Sequence, residues 1–137
     1  KENYLQISFN IIQQNPQKIK TYFDRDLHRM QAQGKNWHQV CEDILKNIPT
    51  EKIYFSVDID GFNPTLCPNT GTPVPGGLEF FHMTELIYFL LQKGKKLVGF
   101  DLCEVTPDSP VDLDCWDGNV GSRVLYNLCC YTLFSNV

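Results

Sequence analysis

Asp58 and Asp60 are the residues whose types and spacing first suggest chemistry. They close an apolar run, Ile53 to Ile59, that reads as a strand. Period-two geometry would turn both carboxylates to one face, with Cβ atoms about 7 Å apart. The end of such a strand is where open α/β sheets place their ligand crevice. Two carboxylates converging there repel each other unless a positive group compensates. No Lys or Arg lies between Tyr54 and Gln92. A hard divalent cation such as magnesium or manganese would fit an all-oxygen pair.

The pair alone leaves other readings open. Asp58 could cap a turn, with Asp60 opening a type I turn before Gly61. An Asp-x-Asp pair is also what metal-dependent glycosyltransferases use to hold a metal and a nucleotide sugar. The next stretch, Gly61 to Gly77, carries four prolines and four glycines. A loop of that length inside a compact domain is usually functional.

Two longer blocks narrow the choice. Ser56-Val57-Asp58-Ile59-Asp60-Gly61-Phe62-Asn63-Pro64 runs into Pro68-Asn69-Thr70-Gly71-Thr72-Pro73-Val74-Pro75-Gly76-Gly77. Downstream lies Gly99-Phe100-Asp101-Leu102-Cys103-Glu104-Val105-Thr106-Pro107. Together, in this order, they resemble the signature blocks of the ureohydrolase family: arginase, agmatinase and formimidoylglutamase. The resemblance implies a three-layer α/β/α sandwich around a mostly parallel sheet. It implies a two-manganese site at the strand ends and hydrolysis of a guanidino or formimino carbon–nitrogen bond. Carried onto this chain, Asp58 would bridge both metals and Asp60 would bind one. Glu104 would be the catalytic and substrate-binding carboxylate, pairing with the substrate's planar cation. Thr72 would line the pocket beside it. Without the resemblance, Glu104 reads as a solvated charge at a strand end and Thr72 as a turn residue.

The match has departures. Asn63 stands where many family members carry an acid, and Asn69 where Gly or Ala is common. Both positions accept turn formers, so altered loop structure is expected rather than lost chemistry. The family's other metal ligands come from Gly-Gly-Asp-His and Asp-Ala-His-x-Asp blocks, and neither occurs here. His28, His38 and His82 sit in helix-like surroundings and read as surface or capping residues. Residues 1–137 therefore read as the C-terminal part of one ureohydrolase domain, expected to be inactive alone. The family commonly forms trimers or hexamers, so a homo-oligomer is expected of the intact protein. A non-catalytic, ureohydrolase-like piece is the competing reading.

The elements that must position these residues are visible in the pattern. Tyr4 to Phe9 alternates like a strand, and Lys18 to Phe23 is a weaker strand candidate. Asp24 to Gln33 reads as a short helix ending at Gly34. Trp37, Val40, Cys41, Ile44, Leu45 and Ile48 follow a helical series capped by Asn36. Met83, Leu86, Ile87, Leu90 and Leu91 mark another helix, closed by Gly94. Leu97 to Val105 reads as a buried strand, with Asp101 as a carboxylate supporting the site. Pro107 to Asp117 reads as a loop. Val120, Val124, Leu125 and Leu128 mark a last helix, capped by Asp117 or Asn119. Strands alternating with helices point to a parallel α/β sheet.

Composition sets the outer limits. The chain has 137 residues, 42% hydrophobic and 20% charged, with a net charge of −4. Such a balance supports a folded core and gives no electrostatic footprint for nucleic acid. No apolar run reaches the roughly 20 residues of a membrane helix. Six cysteines form no CxxC pair. Cys41, Cys103 and Cys129 sit in apolar patterns and read as small buried hydrophobes, which points to a reducing, cytoplasmic setting. Lys93, Lys95 and Lys96 read as a solvated turn.

Overall fold

A computed structural model describes residues 18–106 and 115–137. Four helices and two strands follow one another among these residues: α1 (Asp24–Ala32), α2 (Trp37–Leu45), β1 (Lys52–Asp58), α3 (Phe80–Gln92), β2 (Lys96–Cys103) and α4 (Trp116–Ser135), with a 3₁₀ turn at Ile59–Gly61. The strands are parallel neighbours, as their alternation with helices predicts. The Tyr4 to Phe9 strand and most of the loop after Thr106 lie outside the described residues.

Each element has a local cause. Asp24 and Asp26 put negative charge in the first turn of α1, where the helix N-terminus favours it. Asn36 and Gln39 form a reciprocal capping box at the start of α2: each side chain accepts from the other's backbone N–H at 3.0 Å. In α3 the same motif uses Glu79 and His82; Glu79 N–H donates to His82 Nδ1 at 3.2 Å. On β1, Ile53 and Val57 are buried, whereas Tyr54, Ser56 and Asp58 face out.

One apolar cluster joins Ile53 and Val57 of β1 and Leu97 of β2 to Met83, Ile87 and Leu90 of α3 and Val120, Val124 and Leu128 of α4. Gly121 lets α4 pack closely on the residues after β2: a Cβ there would come within 2.7 Å of Val105. Cys41 joins the cluster from α2. The register slips between Ile53 and Tyr54, so that Ile53 pairs with Leu97 and Tyr54 with Gly99. Val98 is the extra residue of this bulge, and Gly99 leaves room for the Tyr54 ring. At the end of α4, Ser135 Oγ accepts from Leu97 N–H at 3.1 Å, and Asn136 donates to Leu97 O at 2.9 Å.

Several expectations need correction. Residues 18–23 are not a strand. Tyr22 instead reaches α2, donating to Asp43 O at 2.9 Å, and Phe23 O accepts the first amides of α1. α2 stops at Leu45, with Ile48 still packed against the core. Ile59 leaves the strand for the 3₁₀ turn. α4 starts at Trp116 behind Cys115, so neither Asp117 nor Asn119 is its cap. Cys103 and Cys129 are exposed, because each lies on the outward side of its element, and all six cysteines are free. The three histidines stand as expected. His28 and His38 meet Asp24 and Glu42 one turn away, and His82 caps α3.

Candidate active site

The C-terminal ends of β1 and β2 lie side by side, with Asp58 opposite Cys103 in the register. Asp58 keeps its strand position and accepts from Asp60 N–H at 3.0 Å, capping the 3₁₀ turn. Asp60 sits in that turn, so the turn, and not a shared strand face, sets the relation between the two carboxylates. The turn reading of this pair is what the structure shows, with Asp58 as the cap.

Asp60 is the hub. Thr72 N–H donates to Asp60 Oδ2 at 3.0 Å, and the hydroxyls of Thr70 and Thr72 are hydrogen-bonded to the same carboxylate. Thr70 Oγ1 also lies 3.0 Å from Glu104 O. Glu104 has φ +64, the one non-glycine with positive φ among the described residues. That backbone state costs roughly 1–3 kcal/mol and persists only where the surroundings impose it. The Glu104 carboxylate faces Gly71, where a Cβ would lie 3.0 Å from Oε2. Asp58, Asp60, Thr72 and Glu104, picked out by sequence, therefore gather around one stretch of loop.

The loop from Gly61 to Gly77 is stitched in place by its ends and its middle. Asn63 accepts from Thr65 N–H at 3.0 Å and donates to Glu79 at 2.8 Å, as a turn former should. Asn69 N–H donates to Asp117 Oδ2 at 2.8 Å, and its side-chain amide donates to Oδ1 at 3.4 Å. Trp116 Nε1 donates to Thr65 O at 3.0 Å. Gly77 N–H donates to Asp24 at 3.1 Å. Gly77 has φ +89, and any Cβ there would overlap the Phe62 carbonyl, so only glycine closes the loop.

Asp101 supports the outward face of the sheet. Ser56 donates to it at 2.8 Å and Cys103 at 3.4 Å, and the Tyr54 hydroxyl is a third partner. The Ser56 bond above all holds the Asp101 carboxyl below its ordinary value. The bond to Asp101 pushes the Cys103 thiol up.

Sequence reasoning missed two residues. Thr70 is 5% exposed and Asp117 1%. Thr70 stood in a motif that drew attention to Thr72. The signal for Asp117 was an acid directly before the apolar face of α4.

The oxygen donors suit a hard divalent ion, but only as part of a shell. Among the described residues, no group of three or more His, Cys, Asp or Glu side chains is placed to hold a metal. Asp58 and Asp60 offer carboxylate oxygens, fewer than such a group would need.

Comparison with known proteins gives these positions a context. The family model "Arginase family" matches residues 3–128. An agmatinase of Pyrococcus horikoshii is 44% identical over 66 residues, which is 48% of this chain and 23% of the relative. A guanidinobutyrase of Pseudomonas aeruginosa is 35% identical over 98 residues, 69% of this chain and 30% of the relative. Among solved structures, an arginase from Bacillus subtilis superposes with a TM-score of 0.67 at 22% identity, covering 87% of this chain and 38% of that one. The chain thus spans less than a third of these curated relatives' length.

Proposed function

The chain belongs to the arginase family, and from that premise we propose that it is the C-terminal part of a ureohydrolase domain whose intact protein cleaves a guanidino carbon–nitrogen bond, releasing urea and an amine. The observation that supports this reading is the meeting of Asp58, Asp60 and Glu104 at the ends of two parallel strands.

In this reading Asp58 and Asp60 would be the manganese ligands that this stretch supplies, with the remaining ligands coming from outside it. Manganese, when bound, activates the hydrolytic water at neutral pH. The chain's own residues do the rest. The Glu104 carboxylate orients the planar guanidinium by paired, charge-assisted hydrogen bonds. Gly71 leaves space beside that carboxylate, and Thr72 lines the pocket while bonding to Asp60. The bonds to Asp60 keep its oxygens aimed, and the loop's attachments to Asp117, Glu79 and Asp24 keep the loop from drifting.

The relatives carry names for several guanidino substrates, and the end of the substrate far from Glu104 distinguishes them. The intact protein is read as a cytoplasmic homo-oligomer, a trimer or hexamer, with a small guanidino substrate and neither nucleic acid nor membrane as partner. Exposed Leu125, Tyr126, Leu133 and Phe134 on α4 are in keeping with further burial in the intact protein. The free cysteines agree with a reducing compartment. No helix among the described residues is long and apolar enough to cross a membrane. A glycosyltransferase reading of Asp58 and Asp60 leaves the loop and Glu104 without a role.

The test is urea release by the full-length protein with manganese, across arginine, agmatine and 4-guanidinobutanoate. Release from at least one supports the reading. No release from any, by folded and manganese-loaded protein, would overturn it.

A further inference from the structure

We propose that Thr70 is a positioning residue: its hydroxyl ties the Asp60 carboxylate to the backbone of Glu104, so that the metal-holding and substrate-holding acids keep one fixed relation. This rests on the hydrolase reading of the site.

Three observations carry it. Thr70 Oγ1 is hydrogen-bonded to Asp60 Oδ1 and lies 3.0 Å from Glu104 O. One hydroxyl carries one proton, so two acceptors share a single donor, and a shift of either is felt by the other. Thr70 is 5% exposed, so water has little access to replace that donor. Finally, Glu104 is in the left-handed region, a conformation that something must hold. Thr70 grips its carbonyl while the adjacent Gly71 packs on its carboxylate. Two consecutive loop residues thereby fix both the backbone and the side chain of Glu104. A β-branched residue suits the task, because its χ1 is stiff and the hydroxyl cannot swing freely.

The experiment compares wild type, Thr70→Val, Thr70→Ser and Gly71→Ala in the full-length protein. kcat and KM are measured at saturating manganese, and manganese Kd is measured by direct titration without substrate. Removing a hydrogen bond to a charged group in a buried site corresponds to a change of about 10-fold or more. Thr70→Val is expected to raise KM and manganese Kd by about that factor, with Thr70→Ser recovering most of both. Gly71→Ala is expected to raise KM while leaving manganese Kd unchanged, because its new methyl meets only Glu104.

Unchanged KM and manganese Kd in a folded Thr70→Val protein would overturn the proposal. If Thr70→Val does not fold, Thr70→Ala, which also lacks the hydroxyl, decides: wild-type KM and manganese Kd in a folded Thr70→Ala protein would then overturn it. A wild type that neither binds manganese nor releases urea overturns the functional reading itself. A wild type that does both, beside an unaltered Thr70→Val, overturns only the role of Thr70.

Discussion

Asn69 and Asp117 join the loop at the strand ends to the first turn of α4: the Asn69 N–H donates to Asp117 Oδ2 at 2.8 Å, across 48 positions of sequence. Asp117 is 1% exposed, and its carboxylate lies at a helix N-terminus, where the backbone dipole favours negative charge. Asp117→Ala is expected to destabilise the protein by about 1–3 kcal/mol, because it removes the buried acceptor that holds the Asn69 amide. Denaturant unfolding checks the loss, and limited proteolysis should show earlier cleavage between Gly61 and Gly77. Unaltered stability together with unaltered cleavage would remove Asp117 as the loop's anchor.

The proposed metal ligands separate by connectivity. In the full-length protein, Asp58→Ala is expected to abolish turnover, since a bridging carboxylate offsets the repulsion of two cations. Asp60→Ala is expected to be severe but leaky. Glu104→Gln should leave manganese content near wild type while weakening catalysis, because its proposed partner is the substrate cation. Metal analysis beside urea-release kinetics distinguishes the three. An active Asp58→Ala enzyme would dismiss the bridge.

The 137-residue chain alone is expected to bind manganese weakly or not at all, since two carboxylates cannot complete two coordination shells. Isothermal titration of the isolated chain measures this. Tight binding of two ions per chain would contradict that expectation.

Acidification acts through His82 first and through Asp43 at lower pH. Burial pushes the His82 imidazole below its ordinary 6.5, and its Nδ1 must stay unprotonated to accept the Glu79 N–H. The unfolded chain therefore takes up this proton first, and stability falls as pH drops below 6.5. Hydrogen bonds from Lys35 and Lys46 lower Asp43 to about 2 from 3.8. Its contribution is present above 3.8 and is lost only as pH falls toward about 2. Thermal midpoints across this range should show the upper limb, and His82→Gln, which keeps a capping side chain, should flatten it.

Gly77→Ala tests the loop's closure. Its φ of +89 and the overlap of any Cβ with Phe62 predict a loss of stability greater than that of Ala at Gly61, where nothing lies within 4 Å. Thermal unfolding of the two variants gives the comparison, and equal midpoints would mean that the loop re-forms another way.

Much of the fold was legible because burial is periodic. Trp37, Val40, Cys41 and Ile44 announce α2, and Ile53 with Val57 announces β1, since each repeats with the period of its element. Residues 18–23 misled for the opposite reason. Strand-forming residue types do not make a strand without a neighbour to bond, and Tyr22 is held by α2 instead. Cys129 looked buried within an apolar stretch, but α4 is apolar on more than one face, so composition could not say which side meets the core. At the site, motif residues such as Asp58, Thr72 and Glu104 were readable because they carry charge or recur in a signature. Thr70 and Asp117 act through hydrogen bonds 34 and 48 positions away, and no local pattern encodes such pairings.

The end of α4 also fixes how the last helix meets the sheet. Lys96 N–H donates to Glu51 O, so Leu97, one residue on, turns its own N–H and C=O away from β1. Ser135 and Asn136 occupy both groups, imitating with side chains the rung of a neighbouring strand. Two polar residues at a helix terminus thus latch α4 to the backbone of β2, and a chain shortened to Phe134 would lose that latch.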